Sequence, residues 1–416
     1  MDGIEGPGGS CPVEEYSTAG PRREPLAYFR RLDELRARSR PRFFTETPPG
    51  YYVFLDHDMI VEGLQHPETF SSSVIVPEVP DPPYKWIPVM LDPPEHGKWR
   101  HLLASYFSPR TVERMADEQR AFAARLVDEI AVTGRCDYVT DFAHRFPTTI
   151  FLQILGAPVD MLPTFLEWEA GIFQRDEDAS PDGAITTMMQ VMEYFAGLVG
   201  ERRAARDEGA TDIVSAAVDW EIDGEPVRDE DLLSCLLLLF MAGLDTVAAQ
   251  LSYGMHHLAT TPGDRERLLA DAELVPVAVE EVLRTFPIVQ TARKVTTDTE
   301  FHGCPLRAGD MVVFPLGSAN RDEQSFDHGT EFMLDRGYSR HIAFGAGPHR
   351  CLGSHLARQE MTIAFEEWHR RIPDYRIDPD AQAREHGGGV YGLDSLPLVW
   401  TAPDGAAPDG KTAGAL

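Results

Sequence analysis

The sequence predicts a mainly helical fold with small β-sheets attached and one long helix through its core. The longest helical pattern covers 229–260 and ends where Thr, Pro and Gly supply a stop signal. Two short runs rich in aromatic and β-branched residues, at 51–58 and 311–317, predict strands. Two further helical patterns end at Pro287 and Pro373. Helices therefore dominate, which indicates an α+β protein of the mainly α kind.

The 416-residue chain predicts one globular domain between two poorly packing ends. Its hydrophobic content of 43% is enough for a large core, and no internal repeat divides it. We expect disorder over residues 1–20 and over the tail 402–416, because these ends have too little apolar content to pack. The domain then spans 21–401. Within it, the polar stretch RDEDASPDG at 175–183 separates two helical patterns and predicts a mobile loop that gates access to the interior.

The long helix is expected to cross the core. Asp229 is a good N-cap residue, and roughly 30 residues at 1.5 Å each give a helix of about 45 Å. Its most apolar part, at 232–243, has only 12 residues, whereas a bilayer requires about 20. We therefore expect a buried core helix. The next helix, opened by Pro276, carries VEEVLR. A last helix follows Cys351 and has one apolar stripe, formed by Ala357, Met361, Ala364 and Trp368.

The charge and the cysteines limit the classes of partner and the compartment. A net charge of −29 repels nucleic-acid backbones and anionic membrane surfaces, so neither is expected as a partner. The N-terminus has no basic start followed by an apolar stretch, which argues against a secretory signal. The cysteines are odd in number and show no paired spacing, which favours a reducing cytoplasm. They are Cys11, Cys136, Cys235, Cys304 and Cys351.

The segment FGAGPHRCLG, at 344–353, surrounds one cysteine with three glycines, a proline and two basic side chains. Glycine allows backbone conformations closed to other residues and a close approach to another group, so the segment predicts a constrained loop pressed against something flat or bulky. The alternative is that Cys351 is a small buried apolar residue with no ligand role. The defined positions of the loop are Phe344, Gly345, Gly347, His349, Cys351 and Gly353.

This pattern resembles, at every defined position, the haem-thiolate loop of the cytochromes P450. The resemblance implies the cytochrome P450 fold, with a long central helix over a haem b (iron protoporphyrin IX) whose iron is bound by the Cys351 thiolate. Electron donation by such a thiolate favours cleavage of an O–O bond. The resemblance covers the chain from about residue 40 to Trp400 and is closest to the soluble bacterial class that includes the camphor hydroxylase. Segments similar to that class include GLDTV at 243–247 and CLGSHLAR at 351–358.

The long helix contains Ala242-Gly243-Leu244-Asp245-Thr246, which is similar to the family's oxygen-activation segment. A Thr inside a helix can donate a hydrogen bond to the carbonyl four residues earlier, here that of Ala242, and Gly243 leaves room beside it. One interpretation is a simple bend in the helix. The resemblance implies instead a groove for O2 over the haem, with Asp245 and Thr246 delivering protons as catalytic residues.

Two further sets of residues match positions that the family uses for structure and for haem binding. Glu281-x-x-Arg284 matches its structural ion pair, and Arg336 is expected to complete a buried network that holds the cysteine loop. The two propionates of a buried haem require cationic or hydrogen-bonding partners. The resemblance implies four such partners, each of which taken alone is also compatible with a surface charge: His96, Arg100, Arg293 and His349.

The substrate pocket implied by the resemblance is almost entirely apolar. Such an interior predicts a compact hydrophobic substrate with one or two polar handles. Tyr84 is the candidate handle, through its hydroxyl, although a structural hydrogen bond within its own loop is the alternative. The two aromatic side chains also allow a flat substrate. The predicted lining is Tyr84, Trp86, Ile87, Val89, Leu238, Met241, Ala242, Ile288, Val289 and Val390.

The chain contains no glycine-rich dinucleotide motif and no ferredoxin cysteine set, so we expect it to receive electrons from another protein. The resemblance implies an iron–sulfur ferredoxin with its NAD(P)H-dependent reductase. Lys98 and Arg350 are basic residues in an otherwise acidic chain, and they are candidates for the docking surface. Their alternative is a solvated surface charge.

The resulting hypothesis is a monooxygenase that hydroxylates a compact hydrophobic small molecule, terpenoid-like or aromatic, with O2 and two electrons. A second hypothesis keeps the haem and changes the reaction to oxidative coupling, desaturation or peroxide-driven oxidation. A third is a haem sensor without turnover, which would have no use for a proton relay at Asp245 and Thr246. Product analysis separates the first two hypotheses, and consumption of NADH with a ferredoxin separates both from the third.

Overall fold

The computed structural model describes residues 11–18, 23–38, 41–173, 181–207 and 209–402. A π-helix, Val139–Ala143, and two 3₁₀ turns, Val159–Met161 and Gly347–His349, lie within these residues. The α-helices of the described part are α1 Ala27–Arg38, α2 His57–Gln65, α3 Glu95–Leu103, α4 Pro109–Arg114, α5 Ala116–Ala131, α6 Arg145–Leu155, α7 Leu162–Phe173, α8 Pro181–Ala204, α9 Ile213–Ala217, α10 Asp229–Thr260, α11 Pro262–Ala270, α12 Leu274–Thr285, α13 Leu316–Ala319 and α14 Ser354–Arg371.

The strands are short and form one larger sheet and several small ones. The larger sheet has the order β1-β2-β10-β7-β3, in which only β2 and β10 pair in parallel. A second sheet has the order β11-β14-β4, and the pairs β5-β6, β8-β9 and β12-β13 stand alone. In the described residues the strands are β1 Arg42–Thr45, β2 Tyr51–Phe54, β3 Phe70–Ser71, β4 Arg135–Asp137, β5 Glu221–Ile222, β6 Glu225–Pro226, β7 Gln290–Val295, β8 Thr299–Phe301, β9 Cys304–Leu306, β10 Met311–Pro315, β11 Arg376–Ile377, β12 Arg384–His386, β13 Gly392–Ser395 and β14 Pro397–Val399.

The long helix α10 forms the centre of the molecule, as the sequence predicts. It begins at Asp229 and ends at Thr260, and it contacts α6, α7, α8, α12 and α14. Among the described residues it is the one helix long and apolar enough to cross a membrane by length and composition, but 67% of its most apolar window is buried inside the protein. Asp229 is the first helical residue, and Arg228 occupies the N-cap position. The carboxylate of Asp229 therefore acts on the helix dipole instead of capping a backbone N–H.

The other predicted elements lie where the local signals place them. Helix α14 begins three residues after Cys351 and ends at Arg371, two residues before Pro373. Helix α12 begins at Leu274, slightly before Pro276. The predicted class, mainly α with small sheets, is confirmed.

The structure corrects the expected disorder of the N-terminal end. Residues 11–18 pack against the sheet: Tyr16 and Thr18 are buried, and Val13 forms a bridge with Phe44. Gln290 and Thr45 supply hydrogen-bond partners to this segment, so its order depends on residues distant in sequence. At the other end Ala402 is buried, and the rest of the predicted tail lies outside the described residues.

Two more expectations are changed by the fold. Residues 181–183 form the first turn of α8, so the predicted gating loop at 175–183 is shorter than expected, and 174–180 lie outside the described residues. Cys11 and Cys304 are joined by a disulfide with Cα atoms 6.3 Å apart. The cysteine spacing gave no sign of this pair, because the fold brings together two residues that are 293 positions apart.

Candidate functional site

The loop around Cys351 is held by its own backbone and by a close approach to α2. The N–H of Cys351 donates a hydrogen bond to the C=O of Phe344 at 2.8 Å, which closes the loop. Gly345 and Gly347 have φ of +72° and +68°, a backbone conformation that favours glycine. A Cβ atom at Gly347 would lie 2.3 Å from the carbonyl oxygen of Leu64. The predicted close approach therefore exists, and its partner is the backbone of α2.

Burial raises the pKa of the Cys351 thiol, while a hydrogen bond from the N–H of Gly353 and the nearby charges of Arg100 and Arg350 act to lower it. These groups favour the anionic form of the sulfur. Since the thiolate is the form that binds a metal ion, the loop is suited to metal ligation.

The four predicted propionate partners converge near the loop. His96 and Arg100 lie one turn apart on α3, Arg293 lies on β7, and His349 lies in the 3₁₀ turn before Cys351. The imidazole rings of His96 and His349 are 3.9 Å apart. His96 and Arg293 are buried, with exposed fractions of 3% and 6%. The structure therefore brings together four residues from three separate parts of the chain.

The electrostatics of this group of side chains fit an anionic partner. Burial and neighbouring positive charges lower the pKa of His96 to about 4 and that of His349 to about 2. Burial lowers the pKa of Arg293 to about 10. Within the described residues, the buried Nε2 of His349 has no hydrogen-bond partner. A group with two carboxylates would relieve this repulsion and accept hydrogen bonds, so the residues present fit a haem with its two propionates.

The predicted oxygen-activation segment lies in the middle of α10. Thr246 donates a hydrogen bond from Oγ1 to the C=O of Ala242 at 3.0 Å, as expected for a Thr inside a helix. Ala242 is exposed and Thr246 is half-buried. A Cβ atom at Gly243 would lie 2.5 Å from the ring of Phe151 on α6. Gly243 is thus required for the packing of α6 on α10, as well as leaving room beside Thr246.

Asp245 is buried on the same helix but has partners that the sequence did not predict. Its exposed fraction is 2%, and it lies beside His144 and Glu169. No local pattern identifies these two residues, because His144 precedes α6 and Glu169 lies on α7.

The predicted structural ion network is present. Arg284 forms a two-point ion pair with Glu281, with distances of 2.7 and 2.8 Å, and Arg336 Nε lies 2.9 Å from the same carboxylate. Arg284 is fully buried and also donates to the backbone carbonyls of Asn320 and Gly329. The network therefore stabilises the segment before the cysteine loop, and no member of it contacts the loop itself in the described hydrogen bonds.

A second network, which sequence analysis missed, reaches the cysteine loop directly. Glu280 accepts hydrogen bonds from His341 and Arg358, and the Arg358 guanidinium lies 4.6 Å from the ring centre of Phe344. Burial alone would raise the pKa of Glu280, but the hydrogen bonds from His341 and Arg358 lower it to about 2. The sequence offered one sign of this network: a second glutamate, Glu280, stands directly before Glu281 of the predicted ion pair.

Some of the predicted pocket residues contact one another in the structure. Tyr84 and Trp86 stack with ring centres 4.6 Å apart, and Ser234 of α10 fixes their loop by accepting a hydrogen bond from the N–H of Ile87. Val289 and Val390 form an isolated β-bridge, which joins two of the predicted wall segments. The remaining predicted lining is buried or half-buried: Val89, Leu238, Met241 and Ile288.

The two candidate docking cations differ in their surroundings. Arg350 is exposed next to Cys351. Lys98 lies 2.6 Å from Asp223 and is therefore engaged in an ion pair within the chain. Arg350 remains as the candidate.

Comparison with known proteins identifies the family. The sequence model described as Cytochrome P450 matches residues 44–368. The probable cytochrome P450 127A1 of Sinorhizobium fredii is 35% identical over 342 residues, which are 81% of this chain and 80% of the relative. The steroid C26-monooxygenase of Mycolicibacterium smegmatis is 32% identical and covers 85% of this chain and 88% of its own.

Solved structures agree with the sequence relatives. The crystal structure of CYP101J2 superimposes with a TM-score of 0.84 at 30% identity, covering 93% of this chain and 96% of that one. A mutant of P450 EryK in complex with erythromycin B gives a TM-score of 0.82 at 28% identity, covering 92% and 98%. The likeness to CYP101 structures agrees with the predicted relation to the class of the camphor hydroxylase. This chain belongs to the cytochrome P450 family and is a haem-thiolate monooxygenase.

Proposed function

We propose that this protein is a cytoplasmic hydroxylase of a compact hydrophobic small molecule, terpenoid-like or aromatic. It would use O2 and two electrons from an iron–sulfur ferredoxin and its NAD(P)H-dependent reductase. The observation that supports the substrate class is the composition of the predicted lining: apart from Tyr84 its side chains are apolar, and among them Trp86 stacks on Tyr84 and Val289 forms a bridge with Val390. An apolar interior of this kind favours a substrate with few polar groups.

The proposed site has separate groups for holding the cofactor and for moving protons. Cys351 would bind the iron, and His96, Arg100, Arg293 and His349 would bind the propionates. When bound, the haem supplies the reductive cleavage of O2 and the insertion of one oxygen atom into a C–H bond of the substrate. The protein supplies the thiolate, the protons and the orientation of the substrate.

Asp245 and Thr246 are the proposed catalytic residues for proton delivery. The Thr246 hydroxyl donates a hydrogen bond to the Ala242 carbonyl, and the preceding residue, Asp245, is buried. Replacing Thr246 by Ala removes the hydroxyl and leaves the helix intact. We expect the T246A variant to consume NAD(P)H while forming much less product, because proton delivery contributes about 10²-fold or more in such steps. Full coupling of NAD(P)H use to product in T246A would contradict this role.

Tyr84 is proposed to orient the substrate through its hydroxyl. Burial raises the pKa of Tyr84, which keeps the hydroxyl protonated and able to donate a hydrogen bond. No hydrogen bond to this hydroxyl occurs in the part of the chain that the structure describes, so the alternative of a structural bond within the loop has no support there. A substrate carbonyl is a suitable acceptor. The stacked ring of Trp86 would lie against a flat or alicyclic skeleton.

The experiment for the substrate class is a spectral titration of the purified holoprotein. Three panels are compared: compact alicyclic ketones and terpenoids, flat aromatics, and steroids, the last because one relative is a steroid monooxygenase. We expect a low-spin to high-spin shift of the Soret band with one of the first two panels, and weaker binding of a ketone to Tyr84→Phe. A shift with steroids alone would contradict the compact-substrate proposal.

The ferredoxin is proposed to dock beside Cys351. Arg350 offers an exposed positive charge close to the ligand sulfur in a protein of net charge −29. Charge pairs of this kind act mainly on the rate of association. We expect Arg350→Glu to slow reduction by a ferredoxin in a salt-dependent manner and to leave reduction by dithionite unchanged. Equal ferredoxin rates in both proteins would contradict docking at this residue.

A further inference from the structure

Three buried titratable side chains meet behind the proposed proton-delivery pair. His144, Glu169 and Asp245 each place one nitrogen or oxygen atom within 4.8 Å of the others. Nδ1 of His144 lies 3.2 Å from Oε1 of Glu169, which is within ion-pair distance although the two atoms do not meet hydrogen-bond geometry. The exposed fraction is 7% for His144, 1% for Glu169 and 2% for Asp245. Packing alone does not explain this cluster, because buried charged side chains carry a large desolvation cost.

The backbone shows how His144 is brought to this position. The π-helix Val139–Ala143 ends there, and the N–H of His144 donates to the C=O of Val139 at 3.0 Å. A π turn adds one residue to the helix and changes the direction of the side chains that follow, and such turns are frequent at functional sites. The π-helix and α7, which carries Glu169, both pack against α10.

The charges of the three side chains require at least one proton among them. Two carboxylates in a dry interior repel each other, so the ionised pair is stable only beside a protonated imidazole or with one carboxyl neutral. The cluster therefore stores a proton next to Asp245, the residue that adjoins Thr246.

We propose that His144 and Glu169 form a relay that resupplies Asp245 with protons. His144, the most exposed of the three, takes up a proton from water at Nε2 as it releases one from Nδ1 to the Glu169 carboxylate, and a flip of the imidazole ring then returns the remaining N–H to the Glu169 side. Glu169 passes its proton to Asp245 and returns to the carboxylate form. Both are positioning residues that act through Asp245. This inference rests on the proton-delivery role proposed above for Asp245.

The test uses the holoprotein with its ferredoxin system and four variants. Glu169→Gln and His144→Gln remove the transferable proton and retain the approximate size, and Glu169→Asp retains the carboxylate. The matched control is Glu167→Gln, which changes an exposed carboxylate on the same helix. Asp245→Asn serves as the reference for loss of the delivery residue itself.

The expected result is a fall of at least about tenfold in the product-forming rate of E169Q and H144Q, with a larger solvent deuterium isotope effect. E169D should recover most of the rate, and E167Q should match the wild type. All variants should keep the thiolate-type carbon monoxide spectrum, which a folding defect would change. Nuclear magnetic resonance of ¹⁵N-histidine protein should show a protonated Nδ1 on His144 whose signal moves in E169Q.

Three outcomes would overturn the relay. If D245N loses coupling while E169Q and H144Q do not, the relay is wrong and the role of Asp245 stands. If D245N itself behaves as the wild type, the proposed proton delivery fails and the relay fails with it. If the purified protein contains a stoichiometric metal besides iron that is lost in E169Q, the cluster is a metal site and not a relay.

Discussion

Two glycines of the cysteine loop allow a direct test of what the loop presses against. Gly345 and Gly347 share the same backbone region, with φ of +72° and +68°. A Cβ atom at Gly345 would meet nothing within 4 Å, whereas at Gly347 it would lie 2.3 Å from the carbonyl oxygen of Leu64 and 3.0 Å from the Cα of Gln65. Among the protein's own atoms, the substitutions Gly345→Ala and Gly347→Ala therefore differ in the contact with α2.

The expected costs follow from these distances. An alanine at positive φ costs about 1–2 kcal/mol, and both variants carry this cost. The Gly347→Ala variant adds an overpacking cost of about 1–3 kcal/mol, because the atoms in contact belong to the backbone of α2 and not to a flexible side chain. We therefore expect Gly345→Ala to lose about 1–2 kcal/mol of stability and Gly347→Ala about 2–5 kcal/mol.

The assay is denaturant unfolding of the holoprotein, followed in parallel by the Soret band and by helical circular dichroism. Gly347→Ala should release haem at a clearly lower denaturant concentration than Gly345→Ala, which in turn should lie slightly below the wild type. A second readout is the carbon monoxide spectrum before denaturation, in which only Gly347→Ala should show disturbed thiolate ligation. Equal losses in the two variants would show that the contact with α2 does not constrain the loop, and the reasoning would be wrong.

Three further predictions concern packing and electrostatics. Arg284→Lys should lower the free energy of unfolding, measured with denaturant, by about 3 kcal/mol or more, because a lysine cannot replace the two-point ion pair and the buried carbonyl contacts. A loss below about 1 kcal/mol would contradict the stabilising role of the network around Arg284. The pKa of Glu280 falls from 4.5 to about 2 on folding, so its ion pairs with His341 and Arg358 contribute stability above about pH 4.5 that is lost as the pH falls towards 2. Glu280→Gln should flatten the pH dependence of stability in that window, by a modest amount because the side chain is 43% exposed, and an unchanged profile would contradict it. Gly243→Ala should destabilise the holoprotein through the contact with Phe151, and adding Phe151→Ala should recover part of that loss; strictly additive losses would show that the two residues are not coupled.

The parts of the fold that depend on local signals were predictable from the sequence. Helix α10 has the predicted ends, at Asp229 and Thr260, because an acidic start and a Thr-Pro-Gly stop act within one turn. The bond from Thr246 to Ala242 was predictable for the same reason, since it spans only four residues. The glycines of the cysteine loop likewise indicate their positive φ locally.

The parts that depend on contacts between distant segments were not predictable in this way. The segment 11–18 is short and has no helical or strand pattern of its own, and it is ordered through partners more than 25 positions away, such as Thr45 and Gln290. Glu169 looks like any acidic residue of a surface helix until α7 packs against α10. Its neighbour His144 is turned inward by a π-helix, for which the sequence gives no signal that we recognised.

The most direct test of the account is the carbon monoxide difference spectrum of the purified holoprotein compared with Cys351→Ser. We expect a thiolate-type Soret band in the wild type and its complete loss in the variant, with circular dichroism unchanged. A thiolate-type band that persists in Cys351→Ser would show that another residue binds the iron, and it would contradict the assignment of the site.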